Sequence, residues 1–244
     1  MDKFDLSVNL FDEFADEYAK RYTNLEAYSD SIDMFCNLIR TNKPKILELG
    51  CGPGNVTKLL KIWLPEAQII AIDLAPNMIA IARQQLPDVD FKIMDVRDIL
   101  SLPEKFDAVM CSFCLPFLST ADAKKLISDC GEKLNPGGVL YLCTMEGNES
   151  DAGFEATSFS GDTKIYFNYH SKEDLQHAFI DSGFEIRHLK LQDYPETDGR
   201  VTIDMIFIGV KKMNDTIFEQ KLRLESELVR NESMSVLKDF EQME

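Results

Sequence analysis

Residues 50–55, Gly-Cys-Gly-Pro-Gly-Asn, follow directly on the mainly apolar run Ile46-Leu47-Glu48-Leu49. Glycine loses more backbone freedom on folding than any other residue, so three in five positions mark a sharp turn or a close approach of another molecule to the backbone. Three later runs of strand-like texture end in polar residues: Asp73 after QIIAI, Asp95 after FKIM, and Ser112 at the end of FDAVMC. Carboxylates accept hydrogen bonds strongly from hydroxyls and amines, and a glycine loop admits the body of an organic ligand. Any one of these residues alone reads as a turn or a helix cap. Their agreement describes a polar cradle for a small molecule.

The cysteines carry no comparable signal. All six (Cys36, Cys51, Cys111, Cys114, Cys130, Cys143) lie in apolar or helical stretches without an even framework, and read as reduced, buried thiols. The Cys111-x-x-Cys114 spacing has no second pair and sits in a strand pattern, so neither a metal nor a redox role is expected.

The elements that must position the cradle follow from periodicity. From Lys45 onward short β-branched runs alternate with segments of helical spacing: KILELG then VTKLLKIWL, QIIAID then PNMIAIARQQL, DFKIMD then a short connection, FDAVMCSF then ADAKKLISDCGEKL, and finally GGVLYLCTME. Strands separated by helix-length segments imply right-handed crossovers and a parallel sheet. The near-continuous apolarity of IIAI and VLYL implies cover on both faces. Ser171 caps a short helix that Gly183 stops, and EIRHLKLQDY and VTIDMIFIGVKK, with no helix between them, should pair antiparallel at one edge. Such a sheet binds ligands at the carboxyl ends of its strands, where Gly50, Gly52, Asp73, Asp95 and Ser112 all fall.

Two flanks remain. Phe4 to Arg40 reads as helical, with Phe11, Phe14, Ala15, Tyr18 and Tyr22 at helical spacing. From Asn214 to Glu244 a charged amphipathic helix is expected, with Leu222, Val229, Val236 and Met243 recurring every seven residues; it could pack on the body or pair with a second copy as a homodimer. The expected organisation is a helical cap over 1–43, an α/β domain over 44–212 and the amphipathic helix over 213–244. Within the domain, residues 147–170 are too long for a plain connection, and form either a substrate loop or a short added strand. Phe154, Phe159, Tyr166, Phe167 and Tyr169 would give that loop an apolar wall suited to a small organic molecule.

Bulk composition limits the partners. The 244 residues carry a net charge of −16 with no basic cluster, which argues against nucleic acid and anionic membrane as partners. The N-terminal segment carries acids through its apolar residues, unlike a secretory leader, and no apolar run reaches membrane-spanning length; the expected location is cytoplasmic.

A glycine loop with an acid about twenty residues on suits a dinucleotide, but the fingerprint G-x-G-x-x-G would put glycine where Asn55 stands. The glycines run G-x-G-x-G instead, which suits a cofactor without phosphates, such as S-adenosylmethionine. The segments ILELGCGPGN, IIAIDLAPNMIAIAR, FKIMDVRDI, FDAVMCSFCLPFL and LNPGGVLYL, in that order and spacing, resemble the class I S-adenosylmethionine-dependent methyltransferases that act on small molecules, over roughly Phe11 to Lys212. The resemblance implies a three-layer, doubly wound, Rossmann-like α/β fold with a seven-stranded, mostly parallel sheet whose last strand is antiparallel.

It also implies roles. Gly50, Cys51 and Gly52 would pass beneath the methionine and ribose parts of the cofactor, with Asn55 beside them, and Asp73 would accept from the ribose hydroxyls. Leu74 and Met78 would pack on the adenine, Asp95 and the backbone of Val96 would meet its amino group, and Ser112 would meet the ammonium. Tyr18 would close the site from above. Transfer of an activated methyl group needs alignment more than proton chemistry; His170 and Glu146 are the candidate bases if one is needed. The SFCLPF stretch lacks the Asp/Asn-Pro-Pro-Tyr/Phe motif of related enzymes acting on nucleobase amino groups. The competing readings are a non-catalytic S-adenosylmethionine-binding protein and an NAD-dependent oxidoreductase.

Overall fold

The computed structural model describes residues 3–157, 159–160, 163–195 and 199–213. The expected amphipathic helix over 214–244, and with it the expected homodimer contact, lies outside the described residues.

Three short helices precede the sheet, α1 (Lys3–Glu13), α2 (Ala15–Arg21) and α3 (Glu26–Leu38). The continuous helical reading of Phe4–Arg40 is therefore broken twice. Phe14 leaves helical geometry between α1 and α2, and after Tyr22 the Asn24 side chain accepts from the Glu26 N–H at 2.8 Å, restarting the helix as a local cap does. The alternation then runs as expected: β1 (Lys45–Leu49), α4 (Asn55–Trp63), β2 (Gln68–Asp73), α5 (Pro76–Gln85), β3 (Asp90–Ile93), a 3₁₀ turn (Val96–Ser101), β4 (Phe106–Ser112), α6 (Thr120–Lys133) and β5 (Leu134–Met145). A hairpin of β6 (Gly153–Ala156) and β7 (Lys164–Phe167) forms its own two-stranded sheet, and α7 (Lys172–Asp181), β8 (Phe184–Pro195) and β9 (Val201–Lys211) complete the chain.

The main sheet has the order β3-β2-β1-β4-β5-β9-β8. The strands from β3 to β5 are parallel; β9 inserts antiparallel between β5 and β8, and β8 runs antiparallel to β9 in turn. Only β9 is thus reversed, and it is not the edge strand. That reversal matters for function, because it brings the beginning of β9 to the rim where the parallel strands end. Alternate residues bury on opposite faces: Leu47, Leu49, Ile72, Val109 and Leu140 pack toward α6 and α7, while Ile46, Ala71, Met110, Val139 and Tyr141 pack toward α3, α4 and α5. Each such aliphatic side chain contributes about 1.5–3 kcal/mol when fully withdrawn from water. With both faces covered, the strands hold their ends in fixed places.

Candidate active site

At the end of β1 the chain takes left-handed backbone at Gly50 (φ 62°), Gly52 (φ 52°) and Gly54 (φ 89°), a path that costs an L-side chain roughly 1–2 kcal/mol per residue. Gly50 is also sterically required: a Cβ there would stand 2.9 Å from the Cβ of Cys114, on the loop after β4. At Gly52 a Cβ would point toward the Tyr18 ring, 3.8 Å away, so the loop and α2 face each other across a narrow space.

Asp73 pins this loop. Its Oδ2 accepts from the Gly52 N–H at 2.9 Å and its Oδ1 from the Ala75 N–H at 2.9 Å, so one carboxylate at the end of β2 fixes the backbone on both sides. Burial raises the Asp73 carboxyl above the usual carboxylate range despite those amides. Each oxygen retains a second lone pair for a ligand hydroxyl. Asp95, capping the turn after β3, accepts from the Arg97 N–H at 2.8 Å and is clasped by the Arg97 guanidinium (Nε to Oδ1 3.0 Å, Nη2 to Oδ2 2.5 Å). Burial pushes the Asp95 carboxyl up, but the Arg97 hydrogen bonds and charge outweigh it and leave it below its ordinary value.

Two cavities open on this rim. The smaller, about 140 Å³, is walled by Gly50, Gly52, Asp73, Leu74, Met78, Asp95, Val96, Ser112 and Tyr18. The larger, about 770 Å³, shares Gly50, Gly52, Ser112 and Tyr18, and adds Cys51 and Asn55. It is roofed by Phe159, Phe167 and Tyr169 of the hairpin segment and walled by Tyr28 of α3. Of the thirteen residues expected at a site, the fold therefore brings eleven to these two connected spaces.

Their individual placements differ from expectation in places. The Asn55 side chain donates to the Tyr22 carbonyl at 2.6 Å, tying the start of α4 to the end of α2. Tyr18 sits among Phe11, Tyr22 and Phe159, with ring centroids at 5.5, 4.6 and 5.2 Å, and burial raises its hydroxyl well above the ordinary phenol value. His170 and Glu146 border neither cavity. They pair with each other through a backbone bridge, and His170 Nε2 bonds the Leu115 carbonyl at 2.9 Å. The bridge joins the segment after the hairpin to the end of β5, away from the lining of both cavities where an acceptor base was expected. Residues 147–170 combine both readings: two strands are present, but they cover the larger cavity instead of extending the main sheet.

Two acids and one aromatic residue went unnoticed as site candidates. Glu48 is 2 % exposed, borders the larger cavity, and has a carboxyl oxygen with no hydrogen-bond partner. Burial, reinforced by the charge of Asp73, pushes its carboxyl up to about 8. Asp204, at the start of the reversed β9, is likewise 2 % exposed and accepts from the Tyr28 hydroxyl at 2.6 Å. The available signal was an acid inside an otherwise apolar strand, ILEL and TIDMIFI. Phe113, next to Ser112, is the one non-glycine residue with positive φ (56°) among the described residues, and its ring meets Tyr28 edge-on at 5.5 Å.

Comparison with known proteins bears on this arrangement. Residues 46–138, from β1 through the turn before the apolar half of β5, match the family model described as a methyltransferase domain. The chain is 30% identical over 185 residues to malonyl-(acyl-carrier protein) O-methyltransferase of Bacillus anthracis, covering 72% of this chain and 65% of that one. It is 28% identical over 158 residues to the ubiquinone biosynthesis O-methyltransferase of Xanthomonas campestris pv. campestris, covering 61% and 64%. The match thus spans less than two thirds of the length of these relatives. Among solved structures, magnesium protoporphyrin IX methyltransferase from Synechocystis PCC 6803, with bound SAM, superposes with a TM-score of 0.64 at 16% identity, over 87% of this chain and 98% of that one; this likeness concerns the fold. The segment matched by the methyltransferase-domain model spans the glycine loop, Asp73, Asp95 and Ser112, so the likeness to methyltransferases falls on the rim that carries both cavities.

Proposed function

We propose that this protein transfers a methyl group from S-adenosylmethionine to a small-molecule acceptor. The observation that carries the reading is the left-handed glycine loop, pinned by Asp73 and opening at once on a small, mainly apolar cavity edged by Asp73 and Asp95 and on a large one with aromatic walls. The donor would lie across the loop, with its adenosine in the smaller space and its methionine end and methyl group toward the larger.

The residues present fit that group. Asp73 has lone pairs free for both ribose hydroxyls, and Leu74 and Met78 offer apolar surface to the adenine. The adenine amino group would share Asp95 with Arg97 or take the Val96 backbone. Ser112 and Glu48 would face the ammonium, and the first turn of α4, which has no side-chain cap, presents N–H groups that suit a carboxylate. When bound, the cofactor supplies a methyl group already activated on a sulfonium. The protein's task is then alignment and exclusion of water, which Tyr18, Phe159 and the hairpin roof perform. His170 and Glu146 have no part in this scheme.

Isothermal titration with S-adenosylhomocysteine, and with NAD in parallel, tests the reading. Binding of the former alone, in the micromolar range, supports it. Binding of NAD alone would favour an oxidoreductase, and binding of neither would remove the loop from any cofactor role. Binding of S-adenosylhomocysteine without methyl transfer to any acceptor would favour a non-catalytic binding protein.

A further inference from the structure

Among the described residues the larger cavity is bordered by four acids, Glu26, Glu48, Glu155 and Asp204, and two guanidiniums, Arg21 and Arg200; with Glu48 holding its proton at neutral pH, three carboxylates face two guanidiniums. The signs are also separated by depth. The Asp204 carboxylate is buried, whereas both arginines are exposed, where water and salt screen them. Arg200 is moreover paired with Glu155 at 2.8 Å. The interior of the cavity is therefore the negative end.

Its inner wall is aromatic. Tyr18, Tyr22 and Phe159 form one cluster, and Tyr28 and Phe113 another beside Asp204. Ring faces attract cations, most strongly where water is excluded. A bound carboxylate acceptor would meet the buried Asp204 carboxylate, of its own sign, which costs more at this depth than at the surface.

We propose, resting on the methyltransferase reading above, that the acceptor is an amine, held against this aromatic wall with its nitrogen toward Asp204. The acceptor enters as an ammonium and gives one proton to the Asp204 carboxylate. Its freed lone pair then forms the C–N bond as the S–C bond breaks and its electron pair stays on sulfur. Positive charge passes from the sulfonium to the acceptor nitrogen, so the cavity holds a cation before and after transfer; the aromatic wall favours both, and Asp204 regains its charge when its proton leaves to solvent. Carboxylate methylation would instead cancel an ion pair in a place built to repel the anion. The reversed strand makes this possible, since in a parallel β9 the position of Asp204 would lie toward the opposite rim.

The test uses the whole protein saturated with S-adenosylhomocysteine and matched sets of probes: benzylamine, benzyl alcohol and benzoate, then cyclohexylamine, cyclohexanol and cyclohexanecarboxylate. Calorimetry should show each amine bound at least about tenfold more tightly than its alcohol, with the carboxylate weakest, a margin typical of desolvated cation–π and ion-pair contacts. Asp204→Asn should abolish the preference while S-adenosylhomocysteine still binds; should that variant not fold, the wild-type ranking alone decides. If S-adenosylhomocysteine binds but no amine outranks its alcohol and carboxylate partners, or none of the probes binds, the inference is overturned. Failure of S-adenosylhomocysteine to bind would instead strike the methyltransferase reading itself.

Discussion

Gly50, Asp73 and Glu48 each carry a separable demand. Gly50 needs left-handed backbone and has no room for a Cβ, whereas Gly137 is left-handed (φ 79°) with open space around it. Gly50→Ala should therefore destabilise the protein more than Gly137→Ala, by about 1–3 kcal/mol, because both pay the backbone strain but only the first collides with Cys114. Urea midpoints of the two variants measure the difference. For Asp73, replacement by Asn turns an N–H donor toward the Gly52 or Ala75 amide; affinity for S-adenosylhomocysteine should fall by about 1.5–3 kcal/mol in calorimetry, the scale of a charged hydrogen bond. Glu48 is a test of linkage. Its folded value of about 8 lies above that of an unfolded glutamate, so the native state holds the extra proton, and stability falls as pH rises from about 4.5 toward 8. Glu48→Gln should remove that loss, so the stability gain of the variant over the parent grows between these pH values, read from urea midpoints at each pH. Thr57, Cys51 and Asp73 surround the group, and a variant whose advantage shrinks with rising pH would contradict the raised value that burial gives this carboxyl.

At the scale of elements, the hairpin and the N-terminal helices meet over the cavity through one aromatic cluster. Phe159 touches Phe11, Tyr18 and Tyr22 at centroid distances of 5.3, 5.2 and 6.1 Å. Phe159→Ala should cost about 3–5 kcal/mol if the cluster stays closed around the void, and less where the helices settle into it. Its functional mark should be a raised KM for the acceptor, because the roof loosens, with a smaller change in affinity for S-adenosylhomocysteine. Steady-state kinetics alongside calorimetry separate the two; a loss confined to cofactor affinity would place Phe159 over the wrong end of the site.

At the scale of the whole molecule, residues Met1–Lys211 form a compact unit of their own, and the sheet with both its layers lies inside it. The chain cut after Met213 should retain its melting temperature and its affinity for S-adenosylhomocysteine. A large loss of either would make residues 214–244 part of the site or of its support. The net charge of −16 bears on the same scale: it disfavours polyanionic partners and agrees in sign with the negative interior of the larger cavity.

The alternation of β-branched runs with helical segments determined the layers, the parallel sense of the first five strands and the antiparallel pair that follows, since each crossover obeys local handedness and each strand advertises its own burial. The glycine loop, Asp73, Asp95 and Ser112 were legible for the same reason: they sit at strand ends, and the end of a parallel strand is a place known before the fold is. Tyr18 was legible as an aromatic on a helix face, though not its neighbours. Residues whose roles depend on a second element far along the chain were beyond reach. The bond of the His170 ring to the Leu115 carbonyl, and that of Asn55, at the larger cavity, to the Tyr22 carbonyl, each join segments that local pattern does not bring together. Tyr28 and Asp204, 176 positions apart, become one polar pair only because β9 is reversed beside β5. Local pattern specifies which face a residue shows; the tertiary structure alone decides what stands opposite it, because that depends on strand direction and helix placement set by the packing of the whole core.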